Sequence, residues 1–328
     1  MKKPRLLLFV LCLCLLTGCH SPEPDDSLSL GEDGTTSTYQ MPDAMKEFAE
    51  NPDTEWMAGM WLRMEGCTLL RSNSSENFEV FSDPGDLIRA TVTVQNGLNK
   101  AQPYDLMVFA DGLPVEFSIG GNTYRSYPVK LKPEPTSIEL EFPAEFSLNL
   151  GRLDFTLLFN GNPQADYHMS SYTVWIDLDE DARIPVGLQP TVDQRGGIRD
   201  SCTGGAYHAW LWNEGVVPAD IDHTGPKTLS IRDGETLLLE AIASRPGLYR
   251  TVLIVDGTPV QFESNGTRYS YLDWESAGTD MLQLPVTLTD VPDAAGSIYT
   301  ITTPLDTDNM ALFIIASGKI QLMQNGEE

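Results

Sequence analysis

The sequence predicts an all-β protein built from two tandem antiparallel β-sandwiches. Three observations lead to this prediction: apolar residues that alternate along short β-prone runs, Asp-Gly turns that join such runs, and an internal repeat. Many short strands separated by turns are typical of sandwiches. The only helix that we predict is a short one over residues 43–50, before the repeat.

The internal repeat sets the predicted domain organisation. At an offset of 149 residues (210 − 61), Trp61, Leu62, Glu65 and Gly66 match Trp210, Leu211, Glu214 and Gly215. At an offset of 145 residues (256 − 111), Asp111, Gly112, Pro114, Val115, Phe117, Gly121 and Tyr124 match Asp256, Gly257, Pro259, Val260, Phe262, Gly266 and Tyr269. We therefore predict one module over residues 54–180, a linker over 181–202 and a second module over 203–324, each of ordinary domain size.

The strongest strand signal is a hairpin that occurs once in each module. Apolar runs flank Asp111-Gly112 and Asp256-Gly257, and Asp-Gly favours the positive-φ turn that matches the twist of paired strands. Pro114 and Pro259 lack an amide donor, so we expect each on a sheet edge or at a bulge. In architecture each module resembles an immunoglobulin-like sandwich. The usual pair of core cysteines around a tryptophan is absent, and no specific family is identified.

The N-terminus carries a predicted export signal over residues 1–18. Three basic residues precede an apolar run over 6–16, which is too short to span a bilayer. The last residue of this run and the three after it, Leu16 to Cys19, resemble the lipobox of bacterial lipoproteins. This resemblance implies cleavage before Cys19, acylation of that cysteine and a membrane anchor at the bacterial cell surface. Residues 19–53 are predicted to form an acidic tether that is disordered through Thr38 and contains the short helix over 43–50.

The charge balance narrows the choice of partners. The chain has 21 basic and 47 acidic side chains and a formal net charge of −26. Loss of Lys2, Lys3 and Arg5 with the signal leaves 18 basic residues (21 − 3) and a net charge of −29 (18 − 47). This balance excludes nucleic acid as a natural partner and favours cations or basic protein surfaces. The alternative is that the charge serves only solubility.

No catalytic constellation is found, so no catalytic residue is predicted. The chain lacks the zinc-helix, nucleophile-elbow and phosphate-loop motifs. Cys202 lies six residues before His208 with Asp200 nearby, but the first module has no counterpart of this trio. Cys67 and Cys202 are the cysteines left after processing at Cys19. They form either one disulfide or two buried free thiols.

An acidic cluster at the end of the first module is the one candidate metal site. Asp177, Asp179 and Asp181 alternate and could bind calcium, the only cofactor that the sequence suggests. Ala182 and Leu188 occupy the positions where an EF-hand loop needs glycine and glutamate. A solvated linker is the alternative interpretation.

An aromatic run in the second module supplies the candidate ligand-binding residues. Strand alternation places His208, Trp210 and Trp212 on one face. Because Trp210 repeats Trp61, we expect both in a shared buried core position, whereas Trp212 aligns with a charged residue and is expected at an exposed rim. Tyr207, His208 and Trp212 are therefore the candidates for stacking on a sugar or a peptide. Core packing of the whole run is the alternative.

These observations favour a non-enzymatic lipoprotein that binds an extracellular protein, peptide or glycan. A hydrolase or inhibitor with its activity in the loops is the rival hypothesis, since a fold alone does not exclude it. A transporter's solute-binding protein is disfavoured, because such proteins need alternating strands and helices.

The lipobox interpretation makes a direct prediction for Cys19→Ser. Without the thiol there is no acylation, so the variant is expected in the soluble fraction or as unprocessed precursor. Membrane fractionation and intact-mass measurement of wild type and variant check this. A variant that stays membrane-bound at the normal mature mass contradicts the lipid anchor.

Overall fold

The computed structural model confirms the all-β prediction. It describes residues 59–73, 78–95, 101–144, 150–160, 169–177, 195–196, 207–213, 228–230, 235–278, 281–292, 295–305, 312–317 and 319–323, and every regular element in these ranges is a strand. The tether, Cys19 and the predicted helix over 43–50 lie outside these ranges. No described segment forms a helix that is long and apolar enough to cross a membrane.

The first module consists of two sheets. Its strands are β1 (Gly59–Glu65), β2 (Leu69–Asn73), β3 (Phe78–Ser82), β4 (Leu87–Gln95), β5 (Gln102–Ala110), β6 (Leu113–Val115), β7 (Phe117–Ile119), β8 (Asn122–Tyr124), β9 (Tyr127–Leu131), β10 (Thr136–Pro143), β11 (Arg152–Phe159) and β12 (Met169–Asp177). One sheet has the order β1-β4-β10-β7-β8, and the other has the order β2-β3-β12-β11-β5-β6, with β9 also paired to β5. All pairs are antiparallel except β3 with β12.

The second module repeats this topology. Its strands are β14 (Tyr207–Asn213), β15 (Thr228–Ser230), β16 (Leu237–Ala243), β17 (Pro246–Val255), β18 (Thr258–Ser264), β19 (Thr267–Tyr269), β20 (Leu272–Ala277), β21 (Met281–Thr289), β22 (Ser297–Pro304), β23 (Ile315–Ala316) and β24 (Ile320–Met323). The orders β14-β16-β21 and β15-β24-β22-β17 correspond to β1-β4-β10 and β3-β12-β11-β5. Among the described residues of the second module, β15 and β24 form the one parallel pair. Their counterparts in the first module, β3 and β12, are also parallel.

One strand of each module passes from one sheet to the other. In the second module β18 pairs with β17 through residues 258–260 and with β21 through residues 261–263, which joins both layers into one continuous sheet. In the first module Glu116 interrupts the same path, so that β6 pairs with β5 and β7 with β10. Each module is thus an immunoglobulin-like sandwich around its own apolar core.

The predicted linker contributes to the second module. Arg195–Gly196 forms a short strand, β13, that pairs with the start of β21 opposite Leu282 and Met281. The rest of residues 181–202 lies outside the described part of the chain. The boundaries of the two modules therefore remain predictions.

The repeated Asp-Gly turns join each hairpin to a third strand. Both residues of each turn have positive φ, 48° and 77° at Asp111-Gly112 and 45° and 79° at Asp256-Gly257. The Asp111 carboxylate accepts hydrogen bonds from the amides of Leu150 and Arg152 at 3.0 Å. Asp256 accepts the equivalent bonds from the amides of Gly296 and Ser297. Aspartate recurs in the repeat because its side chain orders the start of β11 or β22.

The two modules pack against each other through the outer faces of equivalent strands. A third apolar cluster joins them, made of Met107, Phe109 and Leu158 with Val252, Ile254, Tyr299, Ile301, Ile314 and Ala316. Phe159 and Pro304 occupy equivalent positions of the repeat, 145 residues apart (304 − 159). The carbonyl of each accepts a hydrogen bond from the other module, from the Tyr299 hydroxyl at 2.8 Å and from Arg152 Nη1 at 3.2 Å. The two acceptors are equivalent but their donors are not, since Tyr299 aligns with Asp154 (299 − 145) and Arg152 with Ser297 (152 + 145). The interface thus joins equivalent strands through different side chains.

Two buried arginines also connect the modules. Arg152 forms a two-point ion pair with Asp154 in its own module, and its Nη1 donates to a carbonyl of the other. Arg250 does the same in the opposite direction: it is paired with Asp273 and donates from Nη1 to the Asp111 carbonyl at 2.8 Å. Each of these two buried arginines is thus paired with an aspartate of its own module.

The buried arginines predict a large loss of stability for Arg250→Met. This change leaves Asp273 buried without its cation, which typically costs about 3–5 kcal/mol. The control is Arg268→Met, because Arg268 forms an exposed ion pair with Asp290 and its loss should cost less than about 1 kcal/mol. Urea unfolding of both variants measures the difference. Equal midpoints for the two variants would mean that the buried pair does not stabilise the interface.

Candidate functional site

A groove lies between the two modules beside their interface. Its volume is about 760 Å³, and the first module contributes Leu113, Pro114, Val115, Glu116, Phe117, Ser118, Thr123, Arg125 and Pro143. The second module contributes Val252, Pro259, Ser270 and Tyr271. The groove therefore has an apolar floor and a rim of hydroxyl and charged side chains, the usual composition of a binding site.

Edge strands of both modules line the groove. Pro114 lies in the three-residue strand β6, paired with Phe109, and its repeat equivalent Pro259 is paired with Ile254 in β18. Proline has no amide hydrogen, so its nitrogen has to face away from the partner strand. These edges thus offer carbonyl acceptors but lack a donor at both prolines. Addition of an ordinary β-strand is disfavoured at such an edge.

The charged and aromatic side chains of the groove are held in place by local contacts. Arg125 Nε donates to Glu116 Oε1 at 2.8 Å at the half-exposed rim. The guanidinium of Arg250 lies over the Tyr271 ring, 4.3 Å from its centroid. Because Asp273 fixes this guanidinium, one aromatic wall of the groove is attached to the module interface.

The structure corrects the expected positions of the tryptophans. The repeat predicts an exposed rim for Trp212, but this side chain is buried, with only 5% of its surface exposed. Trp210 is also buried, at 3%, whereas its repeat equivalent Trp61 is partly exposed. All three lie on the outer faces of their sheets, because the alternate residues, such as Leu211, face the cores. The predicted burial is therefore confirmed for Trp210 and wrong for Trp61, and Trp210 and Trp212 pack together in an apolar cluster, as the core-packing alternative expects.

The outer faces of the two equivalent sheets differ in chemistry. In the first module this face is solvated and carries the ion pairs Arg63–Glu65 and Arg89–Glu141. In the second module the same face is apolar and buried, and it contains Trp210, Trp212, Ile242 and Met281 with Leu238 beside them. Glu240 lies within it. Of the predicted aromatic run, Trp210 and Trp212 therefore lie in this buried face.

The other predicted site residues are only partly described. Tyr207 and His208 belong to β14, in register with Ala243 and Ile242. Asp177 is the exposed last residue of β12, while Asp179 and Asp181 lie outside the described ranges. Within those ranges, no three acidic, histidine or cysteine side chains are close enough to hold a metal ion. Cys67 is a half-buried free thiol, and burial raises its pKa; Cys202 is not among the described residues.

Burial of Trp212 predicts a destabilising effect of Trp212→Ala. Truncation of a buried tryptophan typically costs about 3–5 kcal/mol, so this variant should melt well below wild type and close to Trp210→Ala. Trp61→Ala is the control and should lower the melting temperature less, because Trp61 is partly exposed. Thermal unfolding followed by circular dichroism makes the comparison. If Trp212→Ala leaves the melting temperature nearly unchanged, Trp212 is not buried and lies at an exposed rim.

Comparisons with known proteins identify no family. No protein-family model matches the chain, and no curated protein matches it. Among solved structures, the IG1 and IG2 domains of DIP-gamma share 11% identity with it at a TM-score of 0.21, covering 76% of this chain and 94% of that chain. The native Escherichia coli alpha-2-macroglobulin shares 13% at a TM-score of 0.24, covering 82% and 15%. The E. coli chaperone DraB shares 10% at 0.22, covering 80% and 97%. Similarities this low indicate no function.

Proposed function

We propose that this protein is a non-enzymatic binding lipoprotein that holds a basic peptide segment of a partner protein in the groove between its modules. The observation that carries this proposal is the groove itself, with an apolar floor formed by both modules and a polar rim. Acylated Cys19 would hold the protein at the outer face of the membrane.

The shape of the groove supports an extended peptide as the ligand. Leu113, Pro114, Pro259 and Tyr271 offer apolar and aromatic surface to alternate side chains of such a segment. The edges lack donors at both prolines, so the ligand has to bring the hydrogen-bond donors. Lysine and arginine side chains are rich in donors and have no acceptor.

The charge of the chain supports a basic ligand. A net charge of −29 (18 − 47), which the chain would have after loss of its signal, attracts cations from a distance and accelerates their encounter with the surface. Inside the groove Glu116 and Arg125 neutralise each other at the rim, so the attraction comes from the surrounding surface and from Glu116 when a ligand cation competes for it. Acidic peptides are expected to be repelled.

A charge reversal in the groove tests the proposal. Residues 48–328 form one compact unit, which can be labelled and applied to an array of peptides whose lysine and arginine content rises at constant length. We expect retention to rise with basic content and Glu116→Lys to weaken it about tenfold or more, because like charges then meet in the groove.

Glu65→Lys is the matched control. Glu65 is 41% exposed and paired with Arg63, much as Glu116 is 51% exposed and paired with Arg125, but it lies on β1, at the edge of its sheet that is far from the groove-lining strand β7. Both variants change the net charge equally, so only a loss specific to Glu116→Lys locates binding in the groove. Equal losses in both variants, or equal retention of acidic and basic peptides, would refute the groove as the binding site.

A further inference from the structure

The buried outer face of the second module contains two polar groups that no described residue satisfies. Glu240 has no exposed surface, and its Oε2 accepts a hydrogen bond from Gln283 Nε2 at 2.9 Å. Glu240 Oε1 and the indole Nε1 of Trp212 are buried without a hydrogen-bond partner in the structure, as far as its described residues go. An acceptor that carries charge and a donor thus share one apolar face.

The strand register brings these groups together. Trp210 is directly opposite Glu240 on one side, and Gln283 is opposite it on the other. Side chains opposite each other across strands have Cβ atoms about 4.5–5.5 Å apart. Trp212 is two residues further along the same strand and therefore on the same face. Glu240 is therefore flanked by Trp210 and Gln283, and Trp212 lies one position further along the same face, opposite Leu238.

This arrangement is costly unless a ligand completes it. A buried carboxylate is stabilised when it is paired with a cation, and a single hydrogen bond from a neutral amide does not replace such a pair. Glu240 is opposite the repeated Trp210, and in the first module the residue opposite Trp61 is Thr93, which shares a hydrogen bond with Ser137 on the solvated face. The second module therefore has a buried acid beside buried indole rings, and the first has no buried acid at this position.

We propose that this face binds a primary ammonium group on Glu240, at a site separate from the groove. Gln283 already donates to one carboxylate oxygen of Glu240, so among the described residues one oxygen is free. A guanidinium prefers to bind both oxygens of a carboxylate, whereas an ammonium can donate to a single one. Tryptophan is the side chain whose ring attracts cations most strongly. The indole N–H of Trp212 requires an acceptor, so the ligand is an amine that also carries an oxygen, such as an amino alcohol or an amino sugar.

Access to the site requires a change in this face. Because Glu240 has no exposed surface, an ammonium reaches it only when the face opens. Binding should therefore change the environment of Trp210 and Trp212, and their fluorescence reports it.

The test titrates the mature protein with ethanolamine and with D-glucosamine, followed by tryptophan fluorescence and melting temperature. Ethylene glycol and D-glucose are the matched solutes, since each replaces the amine by a hydroxyl. We expect a saturable fluorescence change and a rise in melting temperature with at least one amine and with neither neutral solute. This comparison is made on the wild type and does not depend on the folding of any variant.

Two substitutions locate the effect. Glu240→Gln keeps the shape but removes the charge and should weaken amine binding at least about tenfold. Glu139→Gln, on the solvated face of the first module, should leave binding unchanged. The proposal is overturned if neither amine gives a saturable change, if amines and neutral solutes act alike, or if Glu240→Gln binds as wild type does. If neither amine binds and Glu240→Gln also raises the melting temperature, Glu240 is only a tolerated buried charge.

Discussion

The burial of β5 and β11 against β17 and β22 is the constraint on which the rest of the described structure depends. These strands have one face in the core of their own module and the other in the joint cluster with the second module. The guanidinium groups of Arg152 and Arg250 are fully satisfied only when the modules are in contact, since each donates to a carbonyl across the interface. The cross-module hydrogen bonds of both arginines and the two walls of the groove all depend on this contact.

Much of the fold could be predicted because the apolar alternation and the turn residues of the sequence agree with the strands and hairpins of the structure. Alternation in residues 88–94 marks β4, and the Asp-Gly pairs mark both hairpins. The joint interface was not predicted, although a signal existed. Residues 106–110 and 252–255 are apolar without alternation, which is typical of a strand buried on both sides. Periodicity shows that both faces are covered but does not identify what covers them.

The candidate sites were harder to predict because they depend on differences between the copies. Alignment of the repeat assigns Trp212 to a rim, since the first copy carries a charged residue there. This inference fails because the equivalent faces have opposite environments, solvated in one module and buried in the other. Glu240 could not be selected from the sequence, because an isolated glutamate in a strand gives no sign of burial. The groove was missed for a different reason: Pro114 and Pro259 are 145 residues apart (259 − 114) and meet only through the module interface.

The turn glycines have a consequence for how the two copies can evolve. A Cβ at Gly112 would lie 2.9 Å from Thr303 Cβ, and one at Gly257 would lie 2.6 Å from Ser126 Cβ. Each glycine is therefore constrained by the opposite copy as well as by its own positive φ. The residues they meet are not repeat equivalents, since Thr303 aligns with Leu158 (303 − 145) and Ser126 with Tyr271 (126 + 145). Both copies lie in one chain, which makes their association intramolecular, so a side chain added at either glycine requires a compensating change in the other copy.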